Sequence, residues 1–254
     1  MYLSPLYHRD LKGINYPFEG LTSLTIDGSD MSPGLCIELL GRAPNLVDLD
    51  ILEVRFLPAE STPRHLTIPA LRRLHFGRPG EWFWSESSIL RLLTLPALQS
   101  LVIDIADSGL LDFLTRSAPP LRHLNVRLKA DGVLSEGIVA CLQLVPGLTD
   151  LEILLPHSAN SSFDLWTQNS ALLPGLQTLV VKEYYDHGME RYHRVLDFLA
   201  QRRGSLKSLR LILWDTQSHC KEVWDDAPAA ALRAFQSEGI YVHVGTKEIN
   251  FLSM

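Results

Sequence analysis

Residues 7 to 15 read Tyr-His-Arg-Asp-Leu-Lys-Gly-Ile-Asn. A His-Arg-Asp followed by Asn has the spacing of a phosphoryl-transfer loop. In such a loop the carboxylate, here Asp10, orients the attacking hydroxyl, and the amide, here Asn15, holds magnesium. That chemistry needs companions. A glycine-rich loop and a strand lysine must precede the loop and a second magnesium carboxylate must follow it. Only seven residues stand before His8, and Asp27-Gly28 lacks the phenylalanine of Asp-Phe-Gly. Without those parts Asp10 and Asn15 read as turn and cap residues of the segment 1–17 that leads into the fold.

Other chemistry is equally unsupported. The phrases Gly-x-Ser-x-Gly, Gly-x-x-x-x-Gly-Lys-Ser/Thr, Gly-x-Gly-x-x-Gly and His-Glu-x-x-His do not occur. His187 and His193 are six apart and His219-Cys220 stands alone, neither with ligand-like neighbours. Cys36, Cys141 and Cys220 are far apart with no Cys-x-x-Cys pair, so structural thiols are expected and no metal or cofactor. The block Gln201-Arg202-Arg203, with Lys207 and Arg210, reads as a solvated helix end.

What organises the chain is a repeat. The phrase Leu-x-x-Leu-x-(aliphatic or Phe) begins at Leu21, Leu46, Leu71, Leu98, Leu121, Leu148, Leu176 and Leu206, so successive starts lie 23 to 30 residues apart. Pro44, Pro69, Pro96, Pro119, Pro146 and Pro174 each precede a first leucine by two residues. A proline there ends the preceding helix and biases the chain toward extended structure. The period predicts an α/β leucine-rich-repeat solenoid with a parallel sheet on its concave face and helices or irregular segments on the convex one. In each strand the fourth and sixth residues of the phrase face the core and the third and fifth face the other way.

Helices are predicted around Ile89–Leu95, Gly109–Arg116, Glu136–Leu144 and Glu190–Arg203, and Glu53–Ile68 reads as irregular. Ala227–Gln236 and Ile240–Val244 predict a helix and strand that close the stack, a cap from about residue 222 within a single repeat domain of residues 18–254. The usual Asn or Cys eight residues after the first leucine is missing, with Ser29, Val54, Pro79, Ala106, Lys129, Pro156, Tyr184 and Trp214 in its place. The turns must therefore be satisfied some other way.

Phrases such as APNLVDLDI, LPALQSLVI, APPLRHLNV, LPGLQTLVV and the closing EGIYVHV resemble the divergent leucine-rich-repeat region of fungal F-box proteins, over roughly residues 17 to 246. The resemblance implies an intracellular substrate-recognition subunit of a cullin-type ubiquitin ligase, with the repeats holding the target. The F-box, a helical module opening on a Leu-Pro-x-Glu-type phrase, is absent from this chain, so ligase recruitment carries over to no residue.

Spacing also names the exposed strand positions: Ser23, Thr25, Asp48, Asp50, Arg73, His75, Ser100, Val102, His123, Asn125, Asp150, Glu152, Thr178, Val180, Ser208 and Arg210. Their charges come in blocks, Asp48 and Asp50 before Arg73 and His75, then His123 and Arg127 before Asp150 and Glu152. Such blocks either pair across neighbouring strands or form a polar surface for a partner, and both readings stay open. Large aromatics follow the strands at Phe56, Trp82, Phe83, Trp84, Tyr184, Tyr185 and Trp214. There they serve as a partner-binding rim or pack over the end of the core.

A net charge of −6 carries no basic field for nucleic acid or anionic lipid, and no apolar run is long enough to span a bilayer. The expectation is a monomeric, non-enzymatic protein-interaction module, cytoplasmic or nuclear, with a protein target. A non-ligase scaffold of the same build and a kinase-type enzyme are the alternatives, the latter resting on residues 8–15 alone.

Overall fold

The second residue of each repeat phrase sets the geometry of the next. The Thr22 carbonyl accepts from the Val47 and Asp48 amides, that of Val47 from Arg72 and Arg73, that of Arg72 from Gln99 and Ser100, and that of Gln99 from Arg122 and His123, all within 3.1 Å. The same fork recurs from Thr149 to Gln177 and Thr178, and from Gln177 to Lys207 and Ser208. One carbonyl holding two successive amides fixes where each strand begins, so every phrase yields a strand opening on its third residue.

These observations come from a computed structural model that describes residues 1–3, 17–27, 30–56, 64–77, 87–103, 108–127, 136–155, 171–184, 190–214, 226–248, 250 and 252. The fold is mixed α/β, built on parallel strands, and the chain divides into two compact units, Met1–Val126 and Arg127–Met254. In the first, adjacent strands pair in parallel in the order β1 (Tyr2–Leu3), β2 (Ser23–Asp27), β4 (Asp48–Leu52), β7 (Arg73–Phe76), β9 (Ser100–Ile103) and β10 (His123–Arg127). Two short parallel pairs accompany them, β3 (Asp30–Met31) with β5 (Arg55–Phe56) and β6 (Leu66–Thr67) with β8 (Leu93–Thr94). Helices α1 (Pro33–Gly41), α2 (Ser87–Leu90) and α3 (Ser108–Ser117) belong to the same unit. The second unit carries β11 (Asp150–Leu154), β12 (Thr178–Tyr184), β13 (Ser208–Trp214) and β14 (Tyr241–Gly245), again parallel, with α4 (Glu136–Gln143), α5 (Glu190–Gln201) and α6 (Asp226–Ser237).

Strand faces follow the alternation. Leu24, Leu49, Leu74, Leu101 and Leu124 of the first unit, and Leu151, Leu179, Leu209 and Val242 of the second, are each at most 2% exposed, whereas their neighbours Ser23, Asp48, Arg73 and Tyr241 stay in contact with solvent. Phe113, Phe198, Leu232 and Phe235 bring the helix faces into the same apolar layers.

The prolines do a more local job than ending a helix. At five phrases the first leucine's amide bonds to the carbonyl three residues back: Leu46 to Ala43, Leu71 to Ile68, Leu98 to Leu95, Leu148 to Val145 and Leu176 to Leu173. Pro44, Pro69, Pro96, Pro146 and Pro174 thus occupy the second position of a four-residue turn, where a φ near −65° is already required. At Pro119 the pattern breaks. Pro120 would have to sit at the third turn position, which disfavours proline. Here Ala118 takes φ 41° and the Leu121 amide bonds to Pro119 instead.

Two expectations need revision. The predicted helix from Ile89 stops at Leu90, and Leu93–Thr94 form a strand. Leu93 and Leu95 are buried while Thr94 between them is half-exposed, so a period of two prevails over one of 3.6. In the basic block Gln201, Arg203 and Lys207 are exposed as a solvated helix end requires, but Arg202 departs from that reading, being only 5% exposed. In addition, α1 begins where Ser32 accepts the Leu35 amide at 3.2 Å with Pro33 in its first turn, a start signal not singled out in the sequence.

Candidate functional site

Polar ties on the helix side stand where an asparagine ladder was missing. Arg116, at the end of α3, donates through Nη2 to the Leu90 and Leu93 carbonyls at 2.7 Å each. Ser117 beside it accepts the Leu95 amide at 3.1 Å. Arg202, just past α5, donates to the Leu173 carbonyl at 2.9 Å and to that of Leu172. Asn45 donates to the Glu19 carbonyl at 2.7 Å, and the Arg42 guanidinium lies 4.5 Å from the centre of the Phe18 ring. Each of these groups reaches back one repeat. Charged donors on carbonyls make strong bonds and relieve turns that have left-over acceptors. Burial holds the Arg202 guanidinium below its ordinary pKa. These arginines therefore act as structural ties between successive repeats, and the outward strand residues lie on the other face.

In the first unit that face carries two rows in register, Ser23–Asp48–Arg73–Ser100–His123 and Thr25–Asp50–His75–Val102–Asn125. The charged block there is paired. Arg73 grips Asp48 through Nε and Nη2, both at 2.6 Å, and this hydrogen bond raises the arginine's pKa above its ordinary value. His75 Nδ1 lies 3.4 Å from Asp50, which also accepts from Thr25 at 3.4 Å. Cross-strand pairing thus engages these four side chains, although Arg73 remains 69% exposed.

The face of the second unit is arranged differently. Its rows are Asp150–Thr178–Ser208–Tyr241 and Glu152–Val180–Arg210–His243. Asp150 accepts the Thr149 hydroxyl at 2.6 Å, and Glu152 is paired with Lys182 on the neighbouring strand. His243, buried, donates from Nε2 to the Thr246 carbonyl at 2.8 Å. Arg210 makes no ion pair with any described residue, and its Nε is buried without an acceptor. Tyr241 is 53% exposed, an unusual position for so large an aromatic. The sequence reading assigned Tyr241 to the cap and left it off the face. Its signal was there in Ile240-Tyr241-Val242-His243-Val244, a repeat phrase whose first leucine is replaced by Gly239 at φ 92°.

The aromatic rim is placed only in part. Tyr184 and Trp214 are register partners at the ends of β12 and β13, and Phe56 pairs with Met31 across β5 and β3. Trp82, Phe83, Trp84 and Tyr185 lie outside the described residues, as does the 8–15 phrase. Among the described residues no group of three His, Cys, Asp or Glu side chains gathers as a metal site, and no helix is long and apolar enough to cross a membrane. A shallow cleft of about 220 Å³ between the end of α4 and the turn at 171–174 is lined by Leu142, Pro146 and Leu172 among others. Cys36 and Cys141 are buried thiols, and burial pushes Cys36 up to about 12. No protein-family model matches the chain, and no curated protein matches it in sequence.

Proposed function

We propose that the chain is a leucine-rich-repeat solenoid acting as a protein-protein interaction module, with the partner held on the sheet face. The observation that carries this reading is the second unit's face, where Thr178, Ser208 and exposed Tyr241 stand in register outside the leucine core, with Arg210 in the next row two residues beyond Ser208. Tyrosine and arginine together are the side chains over-represented at the centres of protein interfaces, and a rigid sheet presents them at little entropic cost. The resemblance of the repeat phrases to the F-box protein region adds a finer version, in which the held partner is a target for a cullin-type ubiquitin ligase. Thr178→Arg, which puts a bulky charge in the middle of the face, tests the reading. Affinity capture from the native cell should recover a partner with the unaltered chain and lose it with the variant, at an unchanged melting temperature. Capture unaffected by the substitution would refute a role for this face. Cullin components among the captured proteins would favour the ligase version.

A further inference from the structure

Every acid described on the second unit's sheet face has a hydrogen-bonding or ionic partner, and its central cation, Arg210, has none among the described residues. Asp150 is held by Thr149, and Glu152 by Lys182. In register with Arg210 stand Val180 on one side and His243 on the other, neither anionic, and His243 is engaged with Thr246. The Arg210 Nε lies out of water without an acceptor, while the residue as a whole remains partly open to solvent. A guanidinium partly removed from water and left without an anion is costly, and a carboxylate brought to it from outside relieves that cost. Tyr241 sits beside it: its register partner is Ser208, two residues from Arg210 on the same strand face, and its ring stands out of the sheet.

Resting on the sheet-face reading above, we infer that Arg210 and Tyr241 form a receptor for a carboxylate side chain on an extended acidic segment of the partner protein. The guanidinium pairs with the carboxylate, and the tyrosine ring covers the pair from water while its hydroxyl reaches the segment's backbone. Charge complementarity selects this occupant. The chain carries a net charge of −6, so an acidic peptide meets general repulsion and binds only where a local cation outweighs it.

The test uses the full chain and dye-labelled ten-residue peptides of alternating Ser and Glu, the same with Gln for Glu, and the same with phosphoserine for Glu, followed by fluorescence anisotropy. The Glu peptide should bind at least about tenfold more tightly than the Gln peptide and weaken steeply with salt. Arg210→Gln should remove about that factor, and Tyr241→Ala should weaken binding several-fold. Arg210→Lys should keep part of the preference, because it retains the charge and loses the fork. Arg203→Gln removes the same charge from the helix side, where Arg203 is paired with Glu238 at 3.3 Å, and should change nothing. Equal binding of the Glu and Gln peptides, equal effects of Arg203→Gln and Arg210→Gln, or binding of the phosphoserine peptide alone would each overturn the inference. If Thr178→Arg abolishes partner capture while the peptides ignore Arg210, the sheet-face function stands and the carboxylate receptor falls. If capture is also indifferent to Thr178→Arg, both fall.

Discussion

Replace Arg202 by methionine and an unbranched apolar stem is kept while the guanidinium, 5.9 Å from the centre of the Phe198 ring, is lost. In the native chain this group holds two carbonyls of the preceding repeat, those of Leu172 and Leu173, from a site 5% exposed. The Leu173 carbonyl keeps a second partner, the Leu176 amide at 3.1 Å, but that of Leu172 loses its described donor. A buried carbonyl left without a partner costs about 1–3 kcal/mol, and weakening a charge-assisted bond on the other adds about 1 kcal/mol. Leu173 also sits at φ 53°, a left-handed conformation that costs a bulky residue about 1–2 kcal/mol and persists only while its surroundings hold it. Relief from burying a cation works in the opposite direction. The net expectation is a loss of about 2–4 kcal/mol. For a unit of this size that is roughly 10 °C in the thermal transition. Urea unfolding of the full chain, followed by circular dichroism, reads it, in the transition belonging to residues 127–254 if the two units melt apart. Arg202→Lys should be no better, since a point donor cannot span both carbonyls. If Arg202→Met were neutral or stabilising, the guanidinium would not be tying the repeats together and the account of how these turns are satisfied would fail.

Further outcomes follow from neighbouring features. Ser117→Ala should cost about 1–2 kcal/mol in urea unfolding, because it strands the Leu95 amide in a buried site, and Ser117→Thr should recover part of it. Cys36, fully buried with its thiol pushed up to about 12 from an ordinary 9.0, should resist alkylation in the native chain and label quickly in urea. Its folded pKa is the higher one, so the stability it contributes is complete below pH 9 and is lost as pH rises through 12. Rapid native labelling, read by mass spectrometry of the Cys36 peptide, would contradict the burial. Asn250→Ala should expose the edge of β14, because the Asn250 side chain accepts the Val244 amide at 3.2 Å and donates to the Val242 carbonyl at 3.3 Å. Light scattering should then show concentration-dependent self-association that the unaltered chain lacks.

The strands were legible in the sequence and the ties between repeats were not. A Leu-x-x-Leu phrase announces itself because alternation along one strand is a local property, and the burial of Leu49 and Ile51 around exposed Asp50 repeats it residue for residue. The pairing of Asp48 with Arg73 was open to inference too, since register neighbours 25 residues apart fall out of the repeat spacing. Arg202 defeated the reading because charge next to a helix end ordinarily means solvent, and nothing in one sequence shows a carbonyl 29 residues upstream waiting for it. Tyr241 was missed for a different reason. Its phrase lacks the opening leucine, so by spacing the strand reads as a cap and its outward residue falls outside the face positions. The contrast between the first unit's cross-strand pairs and the second unit's Arg210, which has no ion pair among the described residues, likewise depends on side-chain geometry that spacing cannot give.

The forked carbonyl described at the start of each strand has a consequence for how such a chain tolerates change. Because the step from one repeat to the next is held by main-chain atoms that every amino acid but proline supplies, neither the outward side chains nor the length of the return path enters into the fork itself. First leucines stand anywhere from 23 to 30 residues apart, yet the strands start in the same register. Loops can therefore lengthen at modest entropic expense, and outward residues outside the cross-strand pairs such as Asp48–Arg73 can be rewritten without moving the strand starts. The scaffold behaves like ruled paper, whose line spacing does not depend on what is written. Grafting the outward residues of one strand onto another should carry their side-chain chemistry across while the forked carbonyl keeps the strand's starting point fixed.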